Sequence, residues 1–431
     1  MITALPYFLT RLDGSSYATS FASWLSVIWA FMSFGSLAYA TWTAEDIIPA
    51  ARIVLPLTIN TLLVVFLAIT PRITLSPSLF FPAILANTAL QAALAAWFQI
   101  SVVVLASAFG PDAIAAYMTG GALVAIGVSI LKIITAHTTL DPLSEWNPRS
   151  HSGSSILTGF EFLESLPARN ERAIRGYMVY FSVVAGFIAC GIAAYAYLHP
   201  KIPQDMKRGM PQLDQVESDI EPTEVDYLLG RVSGAIVPMS RTSIWIVARK
   251  NACYNIAVFY VFVVTLAVFP AITTSILPVN SPDQSIIFNP LIFSALHFLN
   301  FNVADLIGRA LSTAKPISPT SDTRLLLYSL ARTIFVPLLL LCNVQHKPVF
   351  GPLMYDPKPI FSSDVAYMLI LFAFGVTNGH ASTLILMAAP SKVMNPRLEP
   401  YESKTAARIA QFCLVGGFIV GGIVSFGLRA I

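Results

Sequence analysis

Ten long apolar stretches constrain this chain more than any other feature. They lie near residues 20–43, 53–70, 80–109, 115–135, 174–198, 252–277, 287–314, 324–344, 365–389 and 405–428. A helix needs about 20 mostly apolar residues to cross the hydrocarbon core of a bilayer. In lipid it must also satisfy its backbone donors and acceptors internally. Segments of this length and number point to one fold class, an all-α polytopic membrane protein. Composition agrees: 11% of the residues are charged, against about 25% in soluble domains. The first residues, MITALPYFLTRL, read as the last turns of a further, partial span, about ten helical residues covering about half of the core. They have neither a basic leader nor a small-residue cleavage site, and so do not read as a signal peptide.

Two interruptions are long, at about 137–173 and 199–248. The second contains KIPQDMKRGMPQLDQVESDIEPTEVD, which is Pro-rich, mixed in charge and short of aromatics, as a flexible linker is. It divides the chain into an amino-terminal bundle, 1–198, and a carboxy-terminal bundle, 249–431. The split suggests two bundles rocking about a site between them. Lys and Arg favour cytosolic loops. With the end after 428 outside, the loops 199–248, 315–323 and 390–404 face the cytosol and hold Lys201, Lys207, Arg208, Lys392 and Arg397. Arg149, Arg169 and Arg172 then lie outside.

The net charge of +3, without any Lys/Arg-rich run, gives no footing for nucleic acid as a partner. The four cysteines, Cys190, Cys253, Cys342 and Cys413, sit in apolar segments and read as buried small residues, not as a disulfide framework or a metal site. The sequence has no phosphate-binding G-x-x-x-x-G-K-[ST] loop, no H-E-x-x-H and no G-x-S-x-G nucleophile elbow. No catalytic residue, metal or cofactor is therefore expected.

The chemistry concentrates in Phe298 to Arg309, FLNFNVADLIGR. Asp305 and Arg309 are four residues apart and share one helix face with Asn302 and Phe298. Each charge costs about 2.5–3.5 kcal/mol at the bilayer centre, so such a pair either fixes register between helices or meets a ligand. Gln99, in LAAWFQISVVV, is an intramembrane amide that needs partners, and Gln91 lies two turns earlier on nearly the same face. Phe269 precedes Pro270 at a helix kink or end and offers either packing or an aromatic plate. Arg332 reads as a structural residue near a span end, able to snorkel. His297 and His380 fall inside spans, where the ordinary role is a structural hydrogen bond. Gly120-Gly121 and Gly416, Gly417, Gly421 and Gly422 read as small-residue faces for close helix approach. These residues suit a polar solute with a flat face.

The motifs FNFNVADLIGRAL, RLLLYSLARTIFVPLLLLCNV, FAFGVTNGHASTLILMAAPSKV, VFPAITTSI, SFGLRAI and MITALPYF occur in an order that resembles the equilibrative nucleoside transporter family. The resemblance is dense from about 250 onward and thinner before it, where it is clearest at MITALPYF and LASAFGPDAIAAYMTGG. It implies a major-facilitator-like fold of eleven spans, six plus five, with the first only partly present, a cytosolic amino terminus and an external carboxy terminus. It also implies facilitated movement of nucleosides, or of nucleobases, across a lipid bilayer by alternating access; the sequence does not distinguish the plasma membrane from a vacuolar or other endomembrane. Asp305 and Arg309 match the family's acid and Arg on the sugar side of the permeant. Gln99 matches the base-reading Gln, Gly120 a fifth-span Gly, and Phe269 the seventh-span Phe before Pro. Ile2 falls at a site-lining position of the first span. The family's Pro-Trp-Asn ahead of that point is not in this sequence, which suggests a clipped start. In-frame upstream codons for it are the check. Two rival readings are a proton-coupled carrier titrating Asp305 or His380, and a non-transporting paralogue.

Overall fold

The computed structural model describes residues 7–8, 11–12, 15, 17–43, 50–73, 75–140, 171–202, 244–270, 272–280, 285–314, 318, 321–343, 360–399 and 402–429. Ile2, most of the 137–173 loop and most of the 199–248 linker lie outside the described residues. In chain order the helices are α1 (Ala18–Thr43), α2 (Ala51–Ile69), α3 (Pro77–Phe109), α4 (Pro111–Leu140), α5 (Glu171–Leu198), α6 (Ile244–Lys250), α7 (Ala252–Val268), α8 (Pro290–Leu311), α9 (Asp322–Ala331), α10 (Phe335–Leu340), α11 (Asp364–Ala388) and α12 (Ser403–Arg429).

Local chemistry sets several of these boundaries. Pro77 opens α3 and Pro111 opens α4, at a position where the missing N–H has no helical partner to lose. Between them Gly110 takes a φ of 101°, the left-handed region that a residue without Cβ enters freely, so the chain reverses in a single residue. Pro337 has no N–H to offer the Thr333 carbonyl, and α9 tightens into a 3-10 turn over Arg332–Ile334 before resuming as α10.

Among the described residues, nine helical stretches are long and apolar enough to cross a membrane, and the protein is a multi-pass membrane protein. They coincide with nine of the ten expected spans. The tenth, 287–314, forms α8, which carries Asn300, Asn302, Asp305 and Arg309 within its 22 residues. Its length still covers about 33 Å at 1.5 Å per residue. Its polar groups are taken up by neighbours: α8 packs chiefly on α11 and α4.

Three hydrophobic clusters organise the packing. One joins Phe8, Phe21, Leu67, Phe80 and Phe181, from the chain start, α1, α2, α3 and α5. There the Tyr7 hydroxyl donates to Thr70 Oγ1 at 3.0 Å. A second joins Val268, Phe293, Phe301, Leu339 and Phe374 of α7, α8, α10 and α11. The third crosses from one half of the chain to the other. It combines Leu37, Ile100, Ile114 and Met118 with Tyr254, Leu384, Met387 and Leu414, and the Phe34 and Phe412 rings meet at 5.1 Å. The halves therefore share a core at the end marked by Gly110 and the α11–α12 connection, and keep separate cores toward the other end.

Two expectations are corrected. Of the four cysteines, all free, only Cys342 is buried; Cys190 lies on an exposed face of α5, and Cys253 and Cys413 are half-buried. An apolar segment in a membrane protein has a lipid side, so apolar context alone does not imply burial. Arg332 does not snorkel. It is 1% exposed, because the 3-10 turn falls in mid-span and carries it inward against α7 and α11.

Candidate functional site

The site is built where α8 meets α11 and α4. The α8–α11 crossing is unusually close because glycines stand on both sides of it. A Cβ on Gly308 would overlap the Val376 carbonyl oxygen, and one on Gly379 would overlap the Asp305 carbonyl oxygen. This approach brings Asn378 of α11 to Asp305 of α8.

Asp305 is 5% exposed, and each of its oxygens accepts a hydrogen bond. Arg309 Nε donates to Oδ2 at 2.6 Å and Asn378 Nδ2 donates to Oδ1 at 2.7 Å. Arg309 also donates from Nη1 to the Met118 carbonyl on α4 at 2.9 Å. One guanidinium thus holds a carboxylate on its own helix and a backbone carbonyl from the other half of the chain. Carboxylate oxygens have a second lone pair each, and a guanidinium has five donors. The pair can therefore still bind a ligand group that both donates and accepts, as a hydroxyl does.

Phe269, just past the end of α7, stacks on Phe301 at 4.1 Å between centroids and meets Phe298 edge-on at 5.0 Å. The expected Phe269 and Phe298 are brought together, with His297 stacked on Phe298 at 4.6 Å. On α3, Gln99 lies beside Tyr117 of α4, which also lies in the field of Arg309. Tyr117 is thus near both Gln99 and the ion pair. The sequence carries a hint of it, since Tyr117 precedes Gly120 by three residues on one helix.

Other expected residues serve differently. Asn302 donates to Ser129 Oγ at 2.7 Å and to the Ala125 carbonyl at 3.4 Å, so its amide ties α8 to α4. Gly120 is exposed, and a Cβ on it or on Gly121 would meet nothing within 4 Å. That pair makes space instead of a close helix contact. Gly417 and Gly421 do approach a neighbour closely, at the Phe259 and Val263 carbonyls of α7. Gln91 donates to Asn87 Oδ1 at 2.7 Å within α3, which ties it to its own helix. His380 Nδ1 lies 3.3 Å from the Tyr328 hydroxyl, a structural bond of the ordinary kind. Ile2 lies outside the described residues.

The α4–α8 contact is open to test. Ser129→Ala removes the short acceptor of Asn302 and leaves only the longer bond to Ala125. The purified protein is expected to lose about 0.5–1.5 kcal/mol of stability, the net worth of one hydrogen bond, seen as a lower melting temperature in detergent. An unchanged melting curve would contradict the contact.

The sequence model of the family described as "Nucleoside transporter" matches residues 213–430, just over half of the chain. The chain is 37% identical over 194 residues to "Equilibrative nucleoside transporter 1" of Rattus norvegicus, a match covering 44% of this chain and 37% of that protein. It is 34% identical over 194 residues to "Equilibrative nucleoside transporter 2" of Homo sapiens, covering 44% and 39%. It is 29% identical over 173 residues to "Nucleoside transporter FUN26" of Saccharomyces cerevisiae, covering 40% and 31%. The matched stretches thus span under two fifths of these relatives' own length. Among solved structures, a crystal structure of the E. coli fucose:proton symporter FucP aligns with 100% of this chain and 92% of its own, at 13% identity and a TM-score of 0.46. The motifs of α7 to α12 and the extent of the family match together establish the assignment: this chain belongs to the nucleoside transporter family.

Proposed function

We propose that the protein carries nucleosides across a membrane by facilitated, alternating-access transport. The observation that carries this reading is the double role of Arg309, which holds Asp305 on α8 and the Met118 carbonyl on α4. A permeant that draws on the Asp305–Arg309 pair competes with a bond between the two halves, and so couples its own binding to their movement. The halves are two bundles, 1–198 and 249–431, joined by a cytosolic linker, 199–248. With the carboxy terminus outside, the shared core around Met118, Leu384 and Leu414 closes the cytosolic end, and the separate cores leave the outer end parted. The fold is the major-facilitator type with six spans plus five.

In this reading Asp305 and Arg309 bond the ribose hydroxyls, a carboxylate taking two donors and a guanidinium giving two. Asn302 and Gly120 border that end of the path through α4. Gln99, backed by Tyr117, meets an edge of the base, and Phe269 with Phe298 offers it an aromatic face. Ile2, by the family resemblance, is expected to line the site from the first span. A deoxynucleoside or a bare base leaves a buried polar group unmatched, a penalty of about 1–3 kcal/mol.

The test is uptake of radiolabelled uridine and adenosine into proteoliposomes holding the full chain. Saturable uptake, competed more weakly by deoxyuridine and uracil and unaffected by a proton ionophore, is expected. Liposomes that take up no more label than empty ones would sink the proposal. Collapse of uptake with the ionophore would favour the proton-coupled alternative.

A further inference from the structure

Beyond the ion pair, a directed line of buried side chains runs from Arg332 to Asp305. Arg332 Nη2 donates to Thr265 Oγ1 at 3.1 Å, Thr265 donates to Asn378 Oδ1 at 2.8 Å, and Asn378 Nδ2 donates to Asp305 Oδ1 at 2.7 Å. Thr265 is 4% exposed and Asn378 is 3% exposed. Four elements take part: α7, α8, α11 and the 3-10 turn between α9 and α10.

The direction of this line is fixed by its ends. A guanidinium can only donate, and an ionised carboxylate can only accept. Asp305 accepts only, so Asn378 must turn its amino group to Asp305 and its oxygen to Thr265. Thr265 accepts from Arg332 and has one proton with two acceptors in reach, the Asn378 oxygen at 2.8 Å and the Val261 carbonyl at 2.7 Å, which also takes Arg332 Nη1 at 3.0 Å. Two oxygens 2.8 Å apart need a proton between them, so the Thr265 proton goes to Asn378. A reversed amide would set an oxygen against the carboxylate at one end and a donor against the hydroxyl proton at the other.

Arg332 has further anchors. Its Nε lies 3.4 Å from Thr377 Oγ1, its Nη2 lies 3.5 Å from the Phe374 carbonyl, and its guanidinium stands 4.9 Å from the Phe374 ring centre. Among the described residues no carboxylate stands within ion-pair distance of it. The carboxylate whose charge it feels is Asp305, two side chains away. A buried cation held this way is costly unless its field is used or compensated.

We propose that Arg332 is a positioning residue for Asp305, acting through Thr265 and Asn378. It holds the Asn378 amide in the one orientation that donates to Oδ1. That bond sets the carboxylate plane and leaves Oδ2 to Arg309. This rests on Asp305 being a permeant-binding group, as proposed above.

Uptake kinetics in proteoliposomes of the full chain test it, with the middle of the line cut by an isosteric change. Thr265→Val keeps the volume and removes the hydroxyl. The expected result is a uridine KM raised about tenfold, the effect of one hydrogen bond to a charged group, with the maximal rate little changed. Thr265→Ser restores the hydroxyl and brings KM back. In an Asp305→Asn background, Thr265→Val is expected to add little to KM, since the two act on one contact. A purely structural role would instead lower the maximal rate or the yield of folded protein, and its effect would add in full to that of Asp305→Asn. Either that full additivity or a wild-type KM in Thr265→Val overturns the relay alone. Wild-type liposomes that take up no nucleoside overturn the permeant reading and the relay with it.

Discussion

Asp305→Asn is expected to weaken uridine uptake by about ten- to hundredfold, read as a rise in KM in proteoliposomes. The carboxylate accepts one bond on each oxygen, from Arg309 Nε and Asn378 Nδ2. An amide in its place keeps one oxygen and turns an amino group toward the other partner, so a donor faces a donor. A hydrogen bond to a charged group contributes about 1.5–3 kcal/mol, and each 1.4 kcal/mol is about tenfold in affinity. The variant also leaves Arg309 and Arg332 without their carboxylate. Breaking a buried pair costs about 3–5 kcal/mol, and the melting temperature in detergent should fall as well. Arg309 can recover part of this by turning fully to the Met118 carbonyl, so folded protein is still expected. Unchanged uridine affinity in folded Asp305→Asn would remove Asp305 from the permeant site.

The second large effect is steric. Gly379→Val should abolish assembly of the α8–α11 pair, because a side chain there overlaps the Asp305 carbonyl carbon and oxygen and the Arg309 backbone nitrogen. All three are backbone atoms, which cannot rotate aside as the end of a long side chain can. Overpacking a well-filled core costs about 1–3 kcal/mol, and forcing two helix backbones apart adds the loss of the Asn378–Asp305 bond. The measurement is the yield of monodisperse protein after detergent extraction. Gly422→Ala is the comparison, since a Cβ at Gly422 meets nothing within 4 Å. Wild-type yield and melting behaviour in Gly379→Val would mean that α8 and α11 do not cross as described.

These two predictions mark what could and could not be read along the chain. The spans were legible because bilayer thickness imposes a length and an apolarity on every crossing helix. One of these stretches, α8, also carries the polar residues that make it the candidate site. The Asp305–Arg309 contact was legible too, because a spacing of four on a helix puts both groups on one face. Their partners on other helices were not. Asn378, Thr265 and Arg332 reach Asp305 only through the packing of α7 and α11 and the 3-10 turn after α9. Spacing along one helix says nothing about which helix lies beside it. The glycines at 308, 375 and 379 were visible as letters, but their use depends on falling opposite each other across the same crossing. Asn302 was placed on the right face, yet its bond to Ser129 needed α4 to lie alongside.

The core shared by the two halves has a thermal consequence. Its members, among them Leu37, Ile100, Met118, Leu384 and Leu414, are apolar. Parting that end in the transport cycle would hydrate hydrocarbon, a process dominated near room temperature by entropy and marked by a large heat-capacity change. A closure held this way loosens on cooling and tightens on warming toward the middle of the physiological range. The rate of carrier turnover should then trace a curve, not a straight line, when its logarithm is plotted against reciprocal temperature.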